Sequence, residues 1–466
     1  MLCILLIRDE GIRLSRYLEK LCVISIISLV FIVFIKEFID VKYINTIETV
    51  LLILVIMTCI FLAKGIPFYM SSAALIIGHI LIFKYKMGYA IWLDGITKNL
   101  PLAILFVVVP VLSIPLKEGG YLQAFNYYVR KYINRTCSLF FILSSSVFGL
   151  GSITNLGSIR IIHALVEEVE FPAKFLAKVY GVGFASCIAW SPYFASVNLV
   201  LYYTGVSFGN YFAFGLIYGI CILLLGNFLF YRDLSCQREV KNSIQQMGEL
   251  TENSKKIRDL ILNLMGLFIV VVIGERVFDF SSMMLMVSFL AVLYAASWSI
   301  IIKKFKAFIR ELKSYDQNIL QVKNELVFFL SVGFFGVVLA NTPLQNLIEK
   351  FFSGISGFST FIVIEVIIII TVLLSSIGIH HVITVTALGL SLQPQLLGLT
   401  DLSFALTLIA AYTVSMIVSP FVPFNIIAGG LIKENSFVLG LKWNRTFGLA
   451  VVLLSGVYIS VVNMVW

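Results

Sequence analysis

The chain has 466 residues, 60% hydrophobic and 13% charged, with a net charge of +9 and a mean hydropathy of +1.00. Soluble domains carry about 25% charged residues, so the composition excludes a soluble globular protein and points to an all-α polytopic membrane protein. The surplus of Lys and Arg falls in loops between apolar spans, so it needs no nucleic-acid partner.

In chain order, the N-terminal segment 1–46 opens with Arg8, Asp9, Glu10, Arg13 and Arg16, and its apolar start lacks a signal-type cleavage site. An extra span follows over 21–36. Further spans of crossing length are predicted over 47–63, 68–84, 99–116, 175–203 and 208–231. Polar residues 232–256 read as a solvated loop, making 233–257 a cytoplasmic linker. Spans 258–275, 281–302, 325–342, 402–432 and 444–464 complete a set of about 11 transmembrane helices. The seven cysteines form no CxxC pair and read as small core residues, not as disulfides or a metal site.

Two apolar segments, 136–165 and 357–392, do not read as single spans. Midway, the first carries Ser144-Ser145-Ser146 and then Gly149-Leu150-Gly151-Ser152-Ile153-Thr154-Asn155. The second carries Ser375-Ser376-Ile377-Gly378-Ile379-His380-His381. Small polar residues favour turns, so each is expected to be a re-entrant hairpin with its tip at depth. With the N-terminus inside and both hairpins returning to their own side, 27 of the 34 Lys and Arg lie inside. Only Lys36, Lys42, Lys84, Lys86, Lys98, Arg276 and Lys350 then lie outside. Reading either hairpin as a crossing would spoil this positive-inside bias. The C-terminus is accordingly expected outside.

The longest spans are broken by one phrase. Trp190-Ser191-Pro192-Tyr193-Phe194 leads to Asn198, and Val418-Ser419-Pro420-Phe421, with Pro423 and Phe424, leads to Asn425. Proline lacks the amide donor and clashes with the carbonyl four residues earlier. Such breaks persist in a bilayer only where protein or a watery cavity satisfies the freed groups. Each break closes a matching order of elements: spans, Pro-Leu (Pro115-Leu116 and Pro343-Leu344), a surface helix (Tyr121 to Tyr132 and Leu344 to Phe352), a hairpin, the broken span and a last span. The chain therefore reads as repeat 1 over 47–232 and an inverted repeat 2 over 258–466, a secondary-transporter layout.

Candidate substrate- or ion-binding residues are Gly151, Ser152, Thr154, Asn155, Ser191, Asn198, Ser375, Ser376, Gly378, His380, His381, Ser419 and Asn425, with helix breaks at Pro192, Pro420 and Pro423. Helix N-termini suit an anion, and carbonyl and hydroxyl oxygens suit a hard cation such as sodium. No Lys or Arg lies near the middle of a span. The aromatic residues flanking the breaks suit a cargo with an apolar body or simply pack helices. Imidazoles can exchange protons near neutral pH, so His380 and His381 read either as functional or as neutral partners of nearby carbonyls. His79 reads as structural. Glu365 stands about 22 Å along a straight helix from His380, too far for pairing, and reads as a headgroup-level residue or part of a proton path. Glu167, Glu168 and Glu170 read as a solvated connector, and the sequons at Asn134 and Asn444 fall inside, away from glycosylation. No HExxH, GxSxG, Walker or GxGxxG motif supports an enzyme.

This order of elements resembles the ion transporter superfamily, in particular its divalent anion–sodium symporters. The tip Ser152, Thr154 and Asn155 is a reordered form of that branch's Ser-Asn-Thr. The breaks at Ser191-Pro192 and Ser419-Pro420 echo its Thr-Pro-Pro-Asn. The resemblance implies a homodimer in the plasma (inner) membrane, working as an elevator driven by sodium or protons. The altered tips and the His380-His381 pair depart from di- and tricarboxylate carriers. The sequence therefore points to a secondary active transporter of a small organic anion, a monocarboxylate or amphipathic acid, with no cofactor beyond a sodium ion. The alternatives are a sodium/proton antiporter and a membrane biosynthesis or assembly factor.

Overall fold

The computed structural model describes residues 2–39, 43–121, 132, 135–167, 171–243, 254–357 and 359–465. Among these there are helices and no strands, and 11 helices are long and apolar enough to cross a membrane. The chain is a multi-pass membrane protein.

Ten predicted spans coincide with such helices, with three adjustments. The span expected over 99–116 begins earlier, because Tyr89–Glu118 is one run of helical turns. Asp94 is exposed on that run. The span expected over 175–203 is two helices, Ala173–Ile188 and Ala195–Thr204. Thr136–Thr154, predicted as a hairpin arm, is by itself of crossing length. The linker is not wholly loop either, for Leu234–Ser243 is a helix that buries Cys236 and Val240. The predicted surface helix from Tyr121 to Tyr132 lies almost wholly outside the described residues, as do Glu168, Glu170 and Asn134.

The chain divides into two compact units, Met1–Val111 with Phe278–Gln345 and Leu112–Val277 with Asn346–Trp466. In the first, Lys323–Ala340 packs against Ile66–Lys84 and Tyr89–Thr97. The contact is close because Gly78 faces the Phe334 ring, where a Cβ would stand 2.5 Å from Cε1. Small residues of this kind let membrane helices approach without a hydrophobic driving force. His79 belongs to this unit and is spent locally. Its Nδ1 bonds the Leu75 carbonyl at 2.8 Å and its Nε2 accepts from Trp92 Nε1 at 3.2 Å.

The second unit contains every candidate site residue. Its most enclosed helices are Ala173–Ile188 and Asp401–Val418. Gly183 presses against the Ser144 carbonyl of Thr136–Thr154 and Gly219 against the Ser186 carbonyl, each with 2.5 Å of room for a Cβ. At one end of the unit, Lys178 Nζ meets Asp233 Oδ2 at 2.5 Å and Lys174 stands 3.9 Å from the same oxygen. Asp233 Oδ1 accepts from Ser235 Oγ and from the Cys236 N–H, capping Leu234–Ser243. At another helix start, the Glu275 carboxylate accepts the N–H groups of Phe208 and Gly209, both at 2.6 Å. A carboxylate suits the partial positive charge of that N-terminus.

Candidate functional site

The site is built from four interruptions, and the sequence explains each locally. At the first tip, Thr136–Thr154 ends where Asn155 takes φ +52, and Gly157–Val166 follows. Asparagine tolerates that left-handed backbone because its short amide bonds locally; here Asn155 Oδ1 accepts the Leu156 N–H at 2.8 Å. At the second tip, Thr360–Ser376 ends and Gly378 takes φ +103, a conformation that needs glycine. His380 then caps His381–Ser391, its Nδ1 accepting the Val382 N–H at 3.3 Å.

At the third and fourth interruptions, each proline opens the helix at the carbonyl four residues back, and a side chain takes that carbonyl over. Pro192 displaces the Ile188 carbonyl, which accepts from Ser196 Oγ at 3.0 Å. Pro420 displaces the Met416 carbonyl, which accepts from Asn425 Nδ2 at 3.4 Å. Asn425 Nδ2 also donates to the carbonyls of Ile417 at 3.1 Å and Ser419 at 2.8 Å. In the first copy Asn198 Nδ2 donates to the carbonyls of Pro192 and Phe194, and Tyr211 reaches in to the Ala189 carbonyl. Because the neighbours of each amide nitrogen are carbonyl oxygens, its orientation is fixed by the network. Both asparagines therefore spend their nitrogens on the break, and Asn198 Oδ1 and Asn425 Oδ1 are buried without a partner among the described residues.

Tips and breaks are tied together in the same way twice. Ser191 Oγ donates to the Ser152 carbonyl at 2.5 Å and Ser419 Oγ donates to the Ser375 carbonyl at 2.7 Å. Each serine also accepts an N–H two residues on, from Tyr193 at 3.2 Å and Phe421 at 3.3 Å. Gly151 lets the first tip close on its break, for a Cβ there would stand 2.8 Å from Cys187 Sγ. Phe184 brings the two breaks together, its ring centroid 5.5 Å from that of Phe194 and 5.1 Å from that of Phe424.

The structure thus unites Ser152, Ser191 and Asn198, and separately Ser375, Ser419 and Asn425. Thr154 and Ser376 spend their hydroxyls on Leu150 and Val372 carbonyls of their own helices. His381 is fully buried with both ring nitrogens unpartnered, stacked 4.3 Å from His380 and edge-on to Tyr412 at 4.2 Å. Among the flanking aromatics, Trp190 packs on Phe148, Phe212 and Phe268. Sequence reasoning passed over Ser196, Tyr211, Phe184 and Tyr412. Ser196 had a local signal, being four residues after the proline; Phe184, Tyr211 and Tyr412 lie on the same or the next helix, but their contacts with Phe424, Ala189 and His381 had none.

Chemically, the region offers buried oxygens without partners at Asn198, Asn425, Ser375, Thr413 and Ser415. Oxygen donors of this kind suit a hard cation. The N-termini of Ala195–Thr204, Pro423–Ile432 and His381–Ser391 supply N–H groups that suit an anion.

No protein-family profile and no curated protein sequence matches this chain. Its fold is similar to the crystal structure of the YdaH transporter of Alcanivorax borkumensis, described as having an unusual topology. That likeness covers 84% of this chain and 97% of the other, with a TM-score of 0.55 and 14% sequence identity.

Proposed function

We propose that the chain is a secondary active transporter of the ion transporter superfamily, carrying a small organic anion with sodium or protons. One observation carries the reading: the serine of each proline break bonds the carbonyl of a helix tip, and the asparagine of each break holds its oxygen free. The likeness to the YdaH transporter supports the same class. The second copy is then the first inverted, and 136–165 and 357–392 are re-entrant hairpins. The 10-residue helix Gly157–Val166 and the 11-residue helix His381–Ser391 favour this. At 1.5 Å per residue each reaches about half of a 30 Å bilayer core.

In this reading Asn198 Oδ1, Asn425 Oδ1 and Ser375 Oγ contribute to binding sodium. The helix N-termini, with His380 and His381, receive the carboxylate of the cargo. The unit bearing all these residues moves as one body, in the elevator manner, within a homodimer in the inner membrane. The test is a thermal-shift screen of the purified protein against small organic acids, with and without sodium, between about pH 5 and pH 8. Sodium-dependent stabilisation by one acid is the expected result. A flat response to every acid under every condition would remove the transporter reading.

A further inference from the structure

Glu365 lies away from both breaks, on Thr360–Ser376, and its surroundings are unusual for a carboxyl. Its Oε1 is buried, and among the described residues no side chain bonds it; the group that reaches it is the Gly456 backbone. That oxygen rests on the backbone of Gly456, only 2.2 Å from where a Cβ at that position would stand, and Phe361 Cε2 lies 2.6 Å from the same point. Gly456 falls near the middle of Arg445–Val465, a 21-residue span. The carboxyl is therefore at mid-span depth, not at the headgroup level its place early in its own helix suggests.

The helices around it supply no cation at that depth. Asp401–Val418 carries Asp401 at its first residue and Tyr412; Arg445–Val465 carries Arg445 at its first residue and Tyr458; His381–Ser391 begins with His381. Phe208–Arg232, packed on the last span, carries Tyr211, Tyr218, Cys221 and, at its end, Tyr231 and Arg232. None of these forms an ion pair or hydrogen bond with Glu365. The Tyr218 phenol is within electrostatic reach of it. Tyr218 itself is held by Ser455 Oγ at 2.5 Å, beside Gly456, and its ring stacks on that of Tyr458. An ionised carboxylate with no cation partner is costly in such a setting.

We propose that Glu365 is a proton-binding site, with Gly456 as the notch that receives its carboxyl and Tyr218–Ser455 as the hydroxyl pair beside that notch. The proton enters from water and leaves to water, and no other bond changes. As the seat of a coupling proton, the site rests on the transporter reading; as a proton site, it stands alone.

The test is pH-difference infrared spectroscopy of the full-length protein in lipid, with no cargo added. The wild type should show a protonated-carboxyl C=O band that fades as pH rises. Glu365→Gln, which keeps the shape of the protonated side chain, should lose that band, and Glu365→Asp should keep it at a displaced frequency. Gly456→Ala, which fills the notch, should move the pH at which the band fades. A band of unchanged size in Glu365→Gln, or no titrating band in the wild type, overturns the proposal. Because no cargo enters the measurement, a blank organic-acid screen would sink the transporter reading and leave this result standing.

Discussion

Asn198 and Asn425 show how far one residue can be read from sequence alone. An amide inside an apolar span is conspicuous because it is costly unless partnered. What the sequence does not disclose is which end of the amide is used up. That depends on which carbonyls stand open around Pro192 and Pro420, once Ser196 has taken that of Ile188 and Tyr211 that of Ala189. Replacing either asparagine by alanine leaves buried carbonyls without donors, at about 1–3 kcal/mol each. Asn198→Ala and Asn425→Ala should each lower the melting temperature and weaken the sodium-dependent stabilisation by acid. A ligand response equal to wild type in both variants removes the two residues from the site. His79→Ala loses two local hydrogen bonds in the other unit. It should melt earlier than wild type and bind as well as it, which the same screen reads.

At the scale of elements, the breaks were legible because proline acts on its own helix, and the tips because small polar residues interrupt an apolar run. Less visible was how long the helices on either side would be. Thr136–Thr154 is long enough to pass for a span, and its end is fixed only by the left-handed turn at Asn155. Leu234–Ser243 was hidden by its charges, although Cys236 and Val240 are spaced to bury one face. The contact of Gly151 with Cys187 gives a test of how the first tip seats. Gly151→Ala puts a methyl 2.8 Å from Cys187 Sγ, an overpacking worth about 1–3 kcal/mol. It should melt earlier than wild type, and adding Cys187→Ala should recover most of the loss. A double variant no better than the single would place the strain elsewhere.

For the molecule as a whole, the charge pattern leads to the expectation of an N-terminus inside, and the Lys178–Asp233 contact ties two helix ends together. Burial by itself would raise the Asp233 carboxyl, but hydrogen bonds from Lys178 and Ser235 and the Cys236 amide outweigh it and hold the group below the usual carboxylate range. A group lowered on folding stabilises the fold above its unfolded pKa, about 3.9, and that contribution is lost as pH falls through the lower folded value. Asp233→Asn should therefore melt earlier than wild type at neutral pH, by about 1 kcal/mol. The gap should close on acidification below about pH 4, measured as melting temperature against pH. Orientation has its own check. A phosphatase fused to the C-terminus should be active, and a phosphatase inserted in the 233–257 linker inactive. The reverse pattern, or activity at both places, would overturn the assignment of the hairpins.

Because each break takes up the donor end of its asparagine, what is left for a ligand there is oxygen. A bare carboxylate arriving first would meet electron-rich atoms and be repelled; a metal cation seated beforehand reverses the sign of the encounter. On the proposed transporter reading, the two amide oxygens then favour one order of arrival: cation, then acid. On that proposal, a carrier so constructed would resist moving its anion alone, and leakage of uncoupled cargo would be suppressed without any gate devoted to the purpose.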